Sequence, residues 1–474
     1  MISQDIQAIV LAAGRAKRFK TNTSKLVQKL CGREMVLYIT HALEQLKIET
    51  TVIVGYQKEA VITVINRYHN KVQFVTQDKQ EGTGHAVLCS KPTWNKDLIL
   101  IMNGDMPLIT PSILEHIYKK HSDSNAAITL AVAYDIDPTG AYGRIVQKDN
   151  SLEIIEAKEF TGDIEEHPFI NAGIYLVNRQ FLESVIDTLA RSKVSHEFYI
   201  TDIIKMASDK GQRISTVAVP FDRVRGINNF KELWAAEQIV RSDIINHWML
   251  EGVRFILPAT NHVDMDVTIG AGTQIEAGVQ LLGTTKISQD CLVQAFSYLN
   301  NAIIDDNVTV LPHSIITDSH IKHDASVGPF VHIRNNTIVG EHSALGNFVE
   351  VKKSIIGNSS KAKHLTYLGD TTVGEQVNIG AGTITCNYDG VNKHETHIRD
   401  NAFIGSNNTL VAPVTIGQGA FTAAGSVITE DVPAGALAIA RSQQVNKQGY
   451  AQKILSQAKE QKPAKKSLTK NIES

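Results

Sequence analysis

Two rhythms of apolar residues run along the chain, and they change over near residue 229. Before it, apolar runs at Ala8 to Leu11, Thr51 to Val54, Gln73 to Thr76, Leu98 to Met102 and Ile128 to Ala133 alternate with segments of helical spacing such as Val36 to Leu46 and Ile113 to His121. Strands that alternate with amphipathic helices predict an α/β, Rossmann-like domain with a mostly parallel sheet, whose ligands bind at the carboxyl ends of the strands. Leu233, Ala236, Val240, Ile244 and Trp248 then recur at helical spacing, which predicts a linker helix over 229–250.

Beyond the linker an aliphatic or small residue returns at every sixth position. The ladder runs through Val263, Ile269, Ile275, Leu281, Ile287, Val293 and Leu299, continues after slips through Ile304, Ile316, Ile333, Val351, Leu368 and Ile379, and resumes at Ile404, Leu410, Ile416, Thr422 and Ile428. A hexad is too long for a helical turn, and a β-sandwich would place its turns at uneven intervals of roughly 8–12 residues. It predicts a parallel β-helix in which each hexad is one flat side and its aliphatic residue points inward. The polar segment Thr385 to His397 breaks the hexad and is expected to project as a loop, where repeat proteins often carry function. From Ser456 the chain is rich in Lys, Gln and Ser and is expected to be disordered. The domain plan is therefore 1–228, a linker helix at 229–250, a β-helix at 251–455 and a basic tail at 456–474.

Composition narrows the function classes. A length of 474 residues exceeds what one core supports, and a formal net charge of -2 supplies no field to hold nucleic acid. Cys31, Cys89, Cys291 and Cys386 lie far apart without disulfide or zinc spacing, which suits a reducing compartment. No apolar run approaches the ~20 residues of a membrane span. Met1 leads directly into the first strand without a basic leader, so a cytoplasmic protein is expected.

Candidate chemistry appears first after the opening strand, in Ala12-Ala13-Gly14-Arg15-Ala16-Lys17-Arg18, with Lys25 following. Small residues there let backbone N–H groups approach phosphates, and Arg18 and Lys25 can neutralise a triphosphate. A glycine turn with two surface cations is also common without any ligand. Asn103-Gly104-Asp105 closes a strongly apolar strand, where the Asp offers a hard oxygen to a Mg2+ ion or simply serves a turn.

These motifs resemble the sugar-1-phosphate nucleotidyltransferases. The chain up to about residue 450 is similar to the family of bifunctional N-acetylglucosamine-1-phosphate uridylyltransferases and glucosamine-1-phosphate acetyltransferases. The resemblance implies a left-handed β-helix. It implies that Leu11, Ala12, Ala13 and Gly14 line the nucleotide, with Asn103 and Gly104 nearby; that Lys25 contacts phosphate; and that Gln77, Gly82 and Thr83 read the uracil of UTP. Asp105 and Asn228 would hold Mg2+, and Gly143, Glu156 and Asn171 the sugar. In the repeats, Arg334, Lys352, Tyr367 and Asn378 would bind the sugar phosphate, and Ala381, Asn387, Tyr388, Ser406, Ala424 and Arg441 would contact acetyl-CoA. His364 would be the base, since acyl transfer to an amine needs a group near neutral pKa to take the ammonium proton. A homotrimer is implied too.

Departures from the family pattern are Ala16 in place of a glycine, which would strain a turn if φ there were positive, His332 for an Arg, and Lys363 for a Gly beside His364. The implied reactions are acetylation of glucosamine-1-phosphate by acetyl-CoA, then uridylylation of N-acetylglucosamine-1-phosphate by UTP. The other readings are a sugar-nucleotide pyrophosphorylase with a regulatory or structural β-helix, which does not require His364, Tyr367, Asn387 and Tyr388, and a non-catalytic sugar-nucleotide sensor or trimeric scaffold, which would tolerate loss of Asp105 and His364.

Overall fold

A computed structural model describes residues 5–15, 17–137, 142–148 and 151–462. Ala16 and residues 463–474 lie outside that set. The chain divides into two compact units, Met1–Asn336 and Thr337–Ser474.

The first unit opens with a mixed sheet. Its strand order is Ile214–Ala218, Ile128–Tyr134, Phe169–Asn178, Leu98–Asn103, Ile6–Ala12, Glu49–Val54, Gln73–Thr76. Ile6–Ala12 is central and pairs in parallel with both Glu49–Val54 and Leu98–Asn103. Its Ile6, Ala8, Ile9 and Val10 are buried, which explains the near-continuous apolar run. The five strands expected from sequence are present, and the helices fall at Met35–Gln45 and Pro111–Ser124. The long strand Phe169–Asn178 was not anticipated. It runs antiparallel between Leu98–Asn103 and Ile128–Tyr134, and a register shift between Asn171 and Tyr175 interrupts its pattern.

The linker helix spans Phe230–Leu250. Its start is fixed by Asn229, whose side chain accepts from the Glu232 N–H at 2.9 Å, an N-cap, while the Glu232 carboxylate accepts from the N–H of the preceding Asn228 at 2.6 Å. Beyond the helix the first unit carries the opening coils of the repeat. Leu281 lies opposite Leu299, Ile287 opposite Ile304 and Ile316 opposite Ile333, all in parallel register.

In the second unit the same three-sided pattern runs from Ile338–Val339 to Leu437–Ala438. Every ladder residue named from the sequence is buried, including Thr422, whose Oγ1 accepts from the Gly405 N–H at 3.1 Å. Three sets of short parallel strands stacked coil on coil are the arrangement of a left-handed parallel β-helix. The projecting loop is shorter than expected, because Thr385 and Cys386 belong to strand Ile384–Cys386, and Thr396 and His397 to strand Thr396–Ile398. After the last coil, Tyr450–Glu460 is a fully exposed helix, so Ser456 to Glu460 are helical where disorder was expected; the local run of Ala, Gln, Lys, Leu and Glu favours a helix. No helix among the described residues is long and apolar enough to cross a membrane.

Candidate functional site

The first site forms where the parallel strands end. A cavity of about 620 Å3 is lined by Leu11, Ala12, Ala13, Gly14, Lys25, Gln77, Gly82, Thr83, Asn103 and Asp105. An adjoining cavity of about 230 Å3 is lined by Arg18, Gly143, Glu156, Asn171 and Asn228, with Thr83, Asn103 and Asp105 lining both. One expected residue is not part of either lining. Gly104 is buried, and its N–H donates to the Leu11 carbonyl at 2.8 Å, so it joins two strands.

Lys25 sits in a short helical turn, Lys25–Val27, whose start is capped by the Ser24 side chain. Its ammonium pairs with the Asp105 carboxylate and donates to Asn228 Oδ1 at 3.0 Å. Residues far apart in sequence are thus gathered around one positive charge. Gln77 is buried, and its Nε2 donates to the Gly82 carbonyl at 3.1 Å at the cavity wall.

In the smaller cavity, Asn171 donates to Tyr175 Oη at 2.6 Å and accepts from the Gly173 N–H at 3.0 Å, while its own N–H donates to the Gly143 carbonyl at 2.8 Å. Glu156 accepts from Thr201 Oγ1 at 2.8 Å. Burial raises the Glu156 carboxyl above the usual range; the Thr201 hydrogen bond works the other way, and the neighbouring carboxylates Asp202, Glu159 and Glu197 add to the rise. Sequence reasoning missed Tyr142, Tyr175 and Thr201. Tyr142 adjoins the singled-out Gly143 and accepts from the Gly226 N–H at 3.1 Å, so its neighbour was the available signal. The other two carried none, because a Tyr in a strand and a Thr before a helix are ordinary.

The second site lies on the second unit's coils. Ala362, Ile379, Ile404 and Thr422 face one another on successive coils. Two residues further along each stand His364, Ala381, Ser406 and Ala424, so these four share one corner of the prism. The backbone ladder continues through that corner. Gly382 donates to the His364 carbonyl at 3.4 Å, Asn407 to Ala381 at 2.7 Å and Gly425 to Ser406 at 2.9 Å. Arg441 follows one coil beyond Ala424, its Cδ 4.0 Å from where a Gly425 Cβ would stand. His364 is exposed on this corner rather than packed inside a coil.

Lys352 lies opposite Gly369, while Tyr367 pairs with Glu350 on the coil before. The Tyr367 ring covers Gly369 so closely that a Cβ there would meet Tyr367 Oη at 2.4 Å and Asn387 Nδ2 at 2.8 Å. Asn387 is buried at the root of the projecting loop, whereas Tyr388 is exposed and donates to the Gly390 carbonyl at 2.6 Å. Asn378 faces outward opposite Lys361. Arg334 belongs to the first unit, on strand His332–Arg334.

A cavity at strand ends with cations and paired oxygen donors, together with a hexad prism carrying an exposed imidazole, defines a two-headed transferase. Residues 8–158 match the MobA-like NTP transferase domain, 263–356 the GMPPB C-terminal domain and 395–430 the bacterial transferase hexapeptide repeats. The chain is 41% identical over 453 residues to the bifunctional protein GlmU of Geotalea uraniireducens, which covers 94% of this chain and 98% of that protein. It is 39% identical over 449 residues to GlmU of Exiguobacterium sibiricum, with 94% and 99% covered. The chain belongs to the GlmU family. It is a bifunctional transferase of UDP-N-acetylglucosamine synthesis, a nucleotidyltransferase and an acetyltransferase in one polypeptide.

Proposed function

We propose that residues 1–228 carry uridylyl transfer and residues 251–455 acetyl transfer, joined by the helix at 229–250. Acetyl-CoA acetylates glucosamine-1-phosphate, and the resulting N-acetylglucosamine-1-phosphate reacts with UTP. The product feeds peptidoglycan and lipopolysaccharide synthesis in the cytoplasm, and the working enzyme is a homotrimer.

In the first reaction a phosphate oxygen of the sugar phosphate attacks the α-phosphorus of UTP in line, and pyrophosphate leaves. The nucleophile is already anionic, so the protein orients the groups and stabilises charge rather than removing a proton. Leu11 to Gly14 face the nucleotide, Gln77, Gly82 and Thr83 its base, and Gly143, Glu156 and Asn171 the sugar; Arg18 and Lys25 offset the phosphate charge. The donor set of Asp105 and Asn228, a carboxylate and an amide oxygen already converging on the Lys25 ammonium, fits Mg2+. When bound, that ion neutralises the charge that builds on the phosphates.

In the second reaction His364 accepts the proton of the sugar ammonium, and the freed amine attacks the thioester carbonyl, releasing the thiol. Lys352 and Arg334 match the sugar phosphate in charge, with Tyr367 and Asn378 as its polar partners. The small residues Ala381, Ser406 and Ala424, with Asn387, Tyr388 and Arg441, leave room for and hold the CoA donor.

The observation that carries the reading is the separation of the two constellations, the Lys25–Asp105–Asn228 cluster on one compact unit and the His364 corner on the other. Asp105→Ala is expected to abolish pyrophosphate release while thiol release from acetyl-CoA continues, and His364→Ala to do the reverse. Loss of both activities in either folded variant would overturn the assignment.

A further inference from the structure

We propose that His41, Glu44 and His69 form a binding site for a divalent transition metal of the zinc or cobalt kind, separate from the magnesium-binding pair. His41 and Glu44 stand one turn apart on helix Met35–Gln45 and therefore share a face. His69 closes the neighbouring helix Lys58–Tyr68, and its N–H donates to the Ile65 carbonyl at 2.8 Å, which fixes the ring's position.

The donor atoms converge. Glu44 Oε2 lies 3.0 Å from His69 Nδ1 and 3.8 Å from His41 Nδ1, and all three lie within 4.8 Å of one another. Zinc bonds of about 2.0–2.2 Å in a tetrahedron put neighbouring ligands about 3.3–3.6 Å apart, so the separations bracket what a metal requires.

A second observation points the same way. His69 is 6% exposed, and its Nδ1 is buried without a hydrogen-bond partner, because the nearby Glu44 oxygen lies out of line with the ring nitrogen. Buried imidazole nitrogens are normally satisfied, and a cation between the ring and the carboxylate would satisfy this one. His41 Nε2 lies 3.1 Å from the Gln45 amide. With that amide turned to present its oxygen, Nε2 keeps its proton and Nδ1 is left free to coordinate, the outer-shell arrangement usual for metal-bound histidine.

The choice of metal follows from the donors. Two imidazoles and one carboxylate suit zinc, cobalt or nickel, whereas magnesium takes oxygen ligands. Access is open, since a cavity of about 610 Å3 is lined by Glu44 and His69. The same cavity is lined by Ile48, Glu49 and Thr50, at the start of strand Glu49–Val54, while the nucleotide cavity lies at the strands' far ends. A metal here would tie two helices together without touching the substrates.

The test is a calorimetric titration of the metal-stripped full chain with Zn2+ in excess Mg2+, repeated with Co2+ to follow its visible absorption. The wild type should take up a zinc equivalent whose affinity falls at least about tenfold in His41→Asn and in Glu44→Gln, with both transferase activities unchanged. His69→Asn should remove it altogether; the half-buried His41 and the exposed Glu44 carry the test should that buried variant fail to fold. Zinc binding of the same affinity and stoichiometry in His41→Asn and Glu44→Gln would overturn the proposal, as would its absence from the wild type.

Discussion

Asn387 Nδ2 donates to Asp370 Oδ2 at 2.6 Å across 17 residues of sequence, and this bond fastens the root of the projecting loop to the coil beside it. Lys353 Nζ lies 3.2 Å from the other carboxylate oxygen. Burial pushes the Asp370 carboxyl up, but the hydrogen bond from Asn387 and the ammonium of Lys353 outweigh it and hold the group below its usual value. A depressed carboxyl contributes stability above the ordinary carboxylate range and loses it as pH falls through the folded-state value.

Asn387→Ala should therefore destabilise the second unit by about 1.5–3 kcal/mol near neutral pH, the worth of a hydrogen bond to a charged group. Thermal unfolding should show the gap to wild type narrowing as the medium is acidified. Thiol release should fall, while pyrophosphate release is retained.

Glu156 gives a prediction of opposite sign. Its raised carboxyl binds a proton more tightly in the folded protein, so its contribution is present at low pH and is lost as pH rises through the folded-state value. Near neutral pH the buried carboxylate is a burden. Glu156→Gln keeps an oxygen for Thr201 and should raise the melting temperature at neutral pH, with the advantage shrinking toward acid. It should also raise KM for the sugar phosphate in uridylyl transfer.

Gly346 sets the position of the imidazole from the adjacent coil. Asn347 lies opposite His364, and a Cβ on Gly346 would meet the Lys363 carbonyl oxygen at 2.0 Å. Gly346→Ala should displace the strand that carries His364. A shift of about 1 Å can cost about 100-fold in rate, so thiol release should drop by that order with uridylyl transfer intact.

Removing divalent cations should separate the two heads without mutation. Excess chelator is expected to stop pyrophosphate release, and added Mg2+ to restore it. Thiol release should continue throughout, since the His364 corner needs no metal for proton transfer.

How far the sequence spoke depended on the regularity of what it encoded. The hexad ladder was legible because a prism repeats one inward position, and Val263, Ile304, Leu368 and Ile416 are all buried as that rule requires. Strand Phe169–Asn178 was not legible, because its partners are 70 or more residues distant in one direction and its bulge at Asn171 breaks the alternation. The candidate residues on motif loops line two adjoining cavities. Gly104 was not among them, since a glycine beside a ligand-lining Asp reads the same whether it faces the cavity or the neighbouring strand. Thr201 and Tyr175 escaped because long-range hydrogen bonds leave no local trace.

The corner that begins at His364 also measures length. Parallel coils stack about 4.8 Å apart, so the four steps from His364 through Ala381, Ser406 and Ala424 to the coil of Arg441 cover about 19 Å. If Arg441 anchors the thioester as proposed, the donor would lie stretched along that edge to bring its carbonyl to the imidazole. On the proposed assignment, a donor too short to span that edge would fail to reach the imidazole.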